Sequence, residues 1–399
     1  MKSVIIISHA LEIGGAERAL LGLLESFDYS KYDVSLFLMR HEGDLIGLIP
    51  EKVNLLPEIK EYTGLAVPLT SIVKKGLFGV AAGRVIAKIK AKRFVKSHNI
   101  KKDNGVGIEY SHKYTVKMMP VISNKEYDLA ISFLTPHYFA AEKVKAKKKI
   151  AWIHTDYSTV DIDVKSEEKM WSKYNHIVSI SDDCTKGFLS KFPGLESKIL
   201  PVENIISPDF IHKQAEMEDV SDEMNGDAVN LLSVGRFSTA KNFDNVPDIC
   251  RRIIDKGINV KWFLVGYGGD EELIRNKIKE AGMEEHVIIL GKKSNPYPYI
   301  KNCDVYVQPS RYEGKCVAVR EAQILCKPVI ITDYATANSQ LKNGFDGVIV
   351  PLDNERCAEA ISELLKDTKK LNLLSENCAM TDYSNTEELE KIYTIIEKD

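Results

Sequence analysis

DVYVQPSRYEGKCVAVREAQILCKPVIITD, residues 304–333, reads as strand, loop, helix and strand. The apolar runs DVYVQPS (304–310) and PVIITD (328–333) have strand length, and the helix between them is expected to begin near Cys316 or Val317. Short Val/Ile-rich runs alternating with helix-periodic segments are the pattern of a parallel sheet covered by helices. The alternation extends outward through VNLLSVG (229–235), VKWFLVG (260–266), VIILG (287–291) and DGVIVP (346–351). Six strands predict a complete doubly wound domain. The first half repeats the pattern with SVIIISHA (3–10), VSLFLM (34–39), VNLL (53–56), YDLAISFL (127–134), KIAWIH (149–154), HIVSIS (176–181) and KILPV (198–202). The predicted class is α/β, with two Rossmann-like domains.

A chain of 399 residues is long enough for two cores. Domains are expected at 1–205 and 229–385, and the acidic, strand-poor stretch 206–228 reads as a solvated hinge. Residues 386–399 read as a C-terminal helix that can return to the first domain. At 44% apolar and 28% charged, the composition is that of a globular protein, and no run has the length of a membrane span. The run Val4 to Ile7 behind Met1-Lys2 reads as a strand, not a signal peptide. Seven cysteines without a C-x-x-C pair disfavour a disulfide framework and a thiolate zinc site, so a reducing cytoplasm is expected. A net charge of -3 gives no indication of nucleic-acid binding. Yet from Tyr62 to Lys102 there are ten basic residues and no Asp or Glu.

Ligands in doubly wound sheets bind beyond the carboxyl ends of the strands, so residues there are the candidates. Gly14-Gly15 after the first strand opens a helix whose free amides suit an anion, though a tight turn explains the pair equally well. Gly266-Tyr267-Gly268-Gly269 lacks the spacing of a dinucleotide fingerprint. Arg236 and Lys241 follow the strand 229–235 and could clamp a diphosphate, or else be solvated loop charges. Glu313 and Glu321 bracket a loop and a helix start, where amides near Val317 would meet a phosphate and Glu321 would accept from ribose hydroxyls; periodicity alone also allows Glu321 to face solvent. His154 ends the strand 149–154, and a lone histidine is more often structural than catalytic. Asp161-Ile162-Asp163 has a spacing that can hold a hard cation but that arises often by chance.

In order and strand context, GGAER, the Arg236/Lys241 pair, LVGYGG (264–269) and the E-x7-E motif Glu313 to Glu321 with its following Lys327-Pro328-Val329-Ile330 resemble the retaining glycosyltransferases of family 4. The resemblance covers nearly the whole chain and implies the GT-B architecture, two Rossmann-like domains facing across a cleft. It implies that Glu321 binds the nucleotide ribose, that Glu313 with Gly314, Cys316, Val317 and Ala318 holds donor sugar and distal phosphate, and that Arg236 and Lys241 neutralise the diphosphate. His154 would contact the transferred sugar, Gly15 would approach the phosphates or the acceptor, and Gly14, Gly266 and Lys292 would complete the donor side. The family often has an apolar residue and then Gly after its E-G, where this chain has Lys315 and Cys316, so the Cys316 side chain is expected to narrow the backbone approach.

The expected activity is metal-independent and cofactor-free transfer from a nucleotide-sugar, with UDP the expected nucleotide, to a hydroxyl of a glycan or lipid-linked acceptor in cell-surface polysaccharide synthesis. The competing readings are a nucleotide-sugar epimerase and a non-catalytic scaffold that binds the nucleotide-sugar. The acid-free window predicts a helix over 77–92 with Phe78, Ala82, Val85, Ile86 and Ile89 on one face and Arg84, Lys88 and Lys92 beside it. That pattern suits an anionic membrane surface met through residues 74–102, on the inner face of the cytoplasmic membrane, and suits equally a core-packed helix with a solvated basic face.

Overall fold

The computed structural model describes residues 1–100, 104–134, 137–224 and 226–398. Lys101 and Lys102 of the basic window lie outside the described residues. The chain divides into two compact units, one of residues 1–205 with 386–399, the other of residues 206–385.

Unit 1 holds a seven-stranded sheet of β1 (Lys2–Ser8), β2 (Tyr32–Leu38), β3 (Asn54–Leu55), β4 (Glu126–Ser132), β5 (Lys145–Ile153), β6 (His176–Ser179) and β7 (Ile199–Pro201). Their order is β3-β2-β1-β4-β5-β6-β7, with every pairing parallel. Both faces are covered, which explains why the strands are continuous apolar runs: on β1, Val4 and Ile6 enter one core while Ile5 and Ile7 enter the other. Helix Leu389–Glu397 belongs to this unit. Its Leu389, Ile392, Ile395 and Ile396 join the core of Val4 and Leu36, and Tyr393 stacks on Tyr32 at 4.5 Å.

Unit 2 holds β8 (Val229–Val234), β9 (Val260–Val265), β10 (Val287–Gly291), β11 (Val305–Gln308), β12 (Val329–Thr332) and β13 (Val348–Val350) in the parallel order β10-β9-β8-β11-β12-β13. Alternation again splits neighbours between two cores, Leu231 to one side and Leu232 to the other. This is the doubly wound arrangement that places strand ends and loops along one edge.

The stretch 206–228 is not a solvated linker. Ser207 caps helix Pro208–Ala215, and Ile211, Ala215, Val220 and Met224 pack into the unit 2 core. Its acidic residues occupy the outer face and dilute an apolar pattern that is nonetheless buried. Among the described residues no helix is long and apolar enough to cross a membrane.

Candidate active site of unit 2

The loop after β8 is pinned by backbone contacts that only glycine permits. Gly266, at φ +154, sits where a Cβ would fall 1.8 Å from the Gly235 carbonyl oxygen, and a Cβ at Gly268 would meet the Phe237 carbonyl oxygen at 2.2 Å. Gly266 is therefore accounted for by packing alone. The same loop is tied to the segment after β11: Arg311 pairs with both oxygens of Asp244 at 2.9 and 2.7 Å and donates to the Thr239 carbonyl. Asn242, in the left-handed region at φ 60, donates from Nδ2 to the Pro309 carbonyl. Neither Arg311, Asp244 nor Asn242 carries a local motif, so nothing in the sequence marked them.

These ties bring Lys241 and Glu313 together. Lys241 Nζ lies 2.6 Å from Glu313 Oε1, with the two side chains 17% and 12% exposed. A hydrogen-bond chain supports the carboxylate: Tyr306 donates to Gln308 Oε1 at 2.7 Å, Gln308 Nε2 to Ser310 Oγ at 2.9 Å, and Ser310 Oγ to Glu313 Oε1 at 2.6 Å. Burial pulls the Lys241 ammonium toward deprotonation, but the Cys316 sulfur and the Glu313 carboxylate outweigh it, so its pKa moves upward. Lys241 is a fixed cation at neutral pH. Cys316 Sγ lies 3.6 Å from the same Nζ, and burial with the Glu313 charge pushes its thiol up to about 11, so it is protonated.

Helix Val317–Ile324 begins immediately after, with Cys316 as its N-cap. The Cys316 amide donates to Gln340 Oε1 at 2.7 Å, which removes it from the set of free phosphate donors expected from the sequence. The Glu313 carbonyl accepts from Thr336 at 2.9 Å, fixing the loop from the other side. Gly314 is exposed with open space where a Cβ would go, and Val317 is half-buried while Ala318 is buried. Glu321 is 1% exposed and accepts from Tyr297 at 2.8 Å, so it does not face solvent. Arg236 is exposed, with no side-chain hydrogen bond or ion pair among the described residues; it does not share the Lys241 cluster. Lys292 is exposed and lies over the Tyr267 ring at 5.3 Å.

In unit 1, Gly14 caps helix Gly15–Ser26, which follows β1. His154, just beyond β5, packs against the Phe133 ring at 4.5 Å and keeps a buried Nε2 without a hydrogen-bond partner among the described residues. Its neighbours were not visible in the sequence. His137 follows β4, bonds Ser132 Oγ through Nδ1 at 2.7 Å and also leaves Nε2 unpartnered among the described residues, while His9 after β1 lies 5.3 Å from His112, ring to ring. Burial lowers both His137 and His154 to about 3, so these imidazoles are neutral. Asp163 is engaged structurally: Oδ1 caps helix Val164–Trp171 and Oδ2 accepts from Tyr110 at 2.7 Å. The D-x-D string is thus partly a helix start.

Two parallel-sheet Rossmann-like units with a charged cluster at the strand ends of the second define a GT-B type sugar transferase fold. Residues 216–393, which take in most of unit 2, match the family profile described as glycosyl transferases group 1. Over 150 residues the chain is 29% identical to the UDP-Gal:alpha-D-GlcNAc-diphosphoundecaprenol alpha-1,3-galactosyltransferase of Escherichia coli, an alignment covering 36% of this chain and 38% of that one. The chain spans well under half the length of the curated relatives it matches. Among solved structures, Staphylococcus aureus TarM, in a complex containing UDP, is 14% identical with a TM-score of 0.69 over 100% of both chains. Anabaena HepE with UDP and glucose is 14% identical, TM-score 0.67, over 99% of this chain and 100% of that one. At that identity the likeness is one of fold.

Proposed function

We propose that the protein is a retaining, metal-independent glycosyltransferase that moves a sugar from a UDP-sugar to a hydroxyl of a lipid-linked or growing surface glycan. The observation that carries this reading is the Lys241–Glu313 pair at 2.6 Å, a largely buried cation and carboxylate at the ends of β8 and β11. An ammonium has three N–H donors. One is held by Glu313 and a second is directed at Cys316 Sγ, which leaves the third for an oxygen of the donor diphosphate. As the bond between the sugar's anomeric carbon and the diphosphate breaks, negative charge grows on the leaving oxygen. A preorganised Lys241, with Arg236 recruited from the exposed end of the same loop, stabilises that charge without reorganisation. The acceptor hydroxyl then attacks the same face of the sugar, its proton passing to the departing phosphate oxygen, and the anomeric configuration is kept.

Glu321, held by Tyr297, is assigned to the ribose hydroxyls, and His154, neutral and with its Nε2 unpartnered among the described residues, to a hydroxyl of the transferred sugar. The relatives that act on diphosphoundecaprenol-linked sugars support a lipid-linked acceptor. We place the protein in the cytoplasm, at the inner membrane face where such an acceptor is met. The test is transfer of label from a panel of nucleotide-sugars to a diphosphoundecaprenol-linked acceptor in the presence of chelator. Transfer from the UDP-sugar supports the reading; a requirement for added divalent metal removes its metal-independent part.

A further inference from the structure

The helix Phe78–Ser97 is packed the wrong way round for a water-facing helix. Its inward side is made of Val80, Ala81, Gly83, Ala87 and Ala91, all buried. The approach is close: a Cβ at Gly83 would lie 2.9 Å from the Tyr114 carbonyl oxygen on helix Val106–Thr115. Its outward side carries the large residues, with Phe78 66%, Val85 44%, Ile86 43% and Ile89 48% exposed. With Ala82 these fall at i, i+4, i+7, i+8 and i+11, one continuous stripe. Val73, at 48% exposed on the preceding helix Leu69–Lys74, and Met118, at 43% and adjacent to Gly79, extend the patch.

By helical spacing, Lys88 and Lys92 lie along one flank of the stripe and Lys90 and Arg93 along the other, with Lys96 at its end, all exposed. No acidic residue occurs between Tyr62 and Lys102. Arg84 is not part of this rim. It is half-buried and bonds the carbonyls of Gly64 and Val67, and burial lowers its pKa. Arg84, Lys88 and Lys92 together line a cavity of about 710 Å³ with Leu69, Ala87 and Val95.

We propose that this face lies in the headgroup layer of an anionic bilayer, with Phe78, Val85, Ile86 and Ile89 entering the acyl boundary and the flanking lysines meeting lipid phosphates. Contiguous exposed apolar patches mark interaction surfaces, and the rim selects the occupant. A second copy would bring lysine rows against lysine rows, whereas an anionic membrane offers both an apolar layer and complementary charge. The proposal deepens the lipid-linked acceptor reading and rests on it for its biological sense, but it is measured without any sugar donor, so either can fail alone.

The experiment is flotation of the full chain with phosphatidylcholine vesicles lacking or containing about a third phosphatidylglycerol, together with the Phe78→Trp variant as a depth probe. Expected are binding to the anionic vesicles that weakens with salt, a blue shift of the introduced indole quenched by brominated acyl chains, and a loss of about tenfold or more in partitioning for Ile86→Gln/Ile89→Gln. Lys92→Gln/Arg93→Gln should weaken binding while leaving the melting temperature unchanged. Equal binding to neutral vesicles, binding without quenching, or unchanged partitioning of the Ile86/Ile89 variant would overturn it. So would sedimentation showing a dimer that the Ile86/Ile89 variant dissolves, which would make a second copy the occupant.

Discussion

Lys241 and Glu313 are 72 residues apart in the chain, yet their charged atoms meet at 2.6 Å. The contact exists because two strand-end loops are sewn together by Arg311, Asp244 and Asn242. It makes the cation permanent and its position fixed before any donor arrives.

The two cations should therefore separate on mutation. Arg236→Met removes an exposed, unpaired charge and should lower turnover about 10²- to 10³-fold without altering the melting temperature. Lys241→Met should lower turnover by a similar factor but also destabilise the fold, by about 3 kcal/mol or more, because Glu313 is left largely buried without its partner. Thermal melting beside the transfer assay distinguishes them, and adding Glu313→Gln to Lys241→Met should restore much of the stability but none of the activity.

Glu321→Ala should weaken UDP binding about tenfold and change turnover little at saturating donor, since ribose hydroxyls are held alike in ground and transition states. Calorimetry checks this; an unchanged affinity removes Glu321 from the donor site.

The glycines divide in the same way. Gly266→Ala, facing a backbone oxygen at 1.8 Å and a positive φ, should cost more than about 2 kcal/mol. Gly314→Ala, with open space around its Cβ, should melt like the parent, so any activity it loses reports a close approach of donor to that backbone. Denaturant titration of both variants decides the point.

Unit 1 carries a pH-sensitive element. Burial pushes the Glu167 carboxyl from 4.5 up to about 7, while Tyr157 donates to its Oε2 at 3.0 Å. Between about pH 4.5 and 7 the folded state holds a proton that the unfolded state has released, so stability falls as pH rises through this window and the loss is complete above it. Glu167→Gln, which can accept the same bonds, should match the parent in melting temperature near pH 4 and melt higher near pH 8. Equal melting at both pH values would contradict that protonation.

Much of the fold was legible because a strand buried on both faces is a continuous apolar run; Val229–Val234 and Val260–Val265 ended within one residue of their predicted limits. The segment 206–228 was misread because Ile211, Val220 and Met224 are scattered among acids. Helix Phe78–Ser97 could be placed but not oriented, since small residues on one side and large ones on the other give two apolar faces. Within the candidate site, residues beside motifs were visible. Tyr297, Gln340, Arg311 and His137 were not, because each acts through a partner distant in sequence or a neighbour that only folding supplies.

The central claim is transfer with retention at the unit 2 site, and the most direct measurement is nuclear magnetic resonance of the product formed from an α-linked UDP-sugar and a diphosphoundecaprenol-linked acceptor in chelator. The account predicts an α-linked product that appears only when acceptor is present and that is lost with Lys241→Met/Glu313→Gln. A β-linked product, or an isomerised or released sugar formed without acceptor, would contradict it.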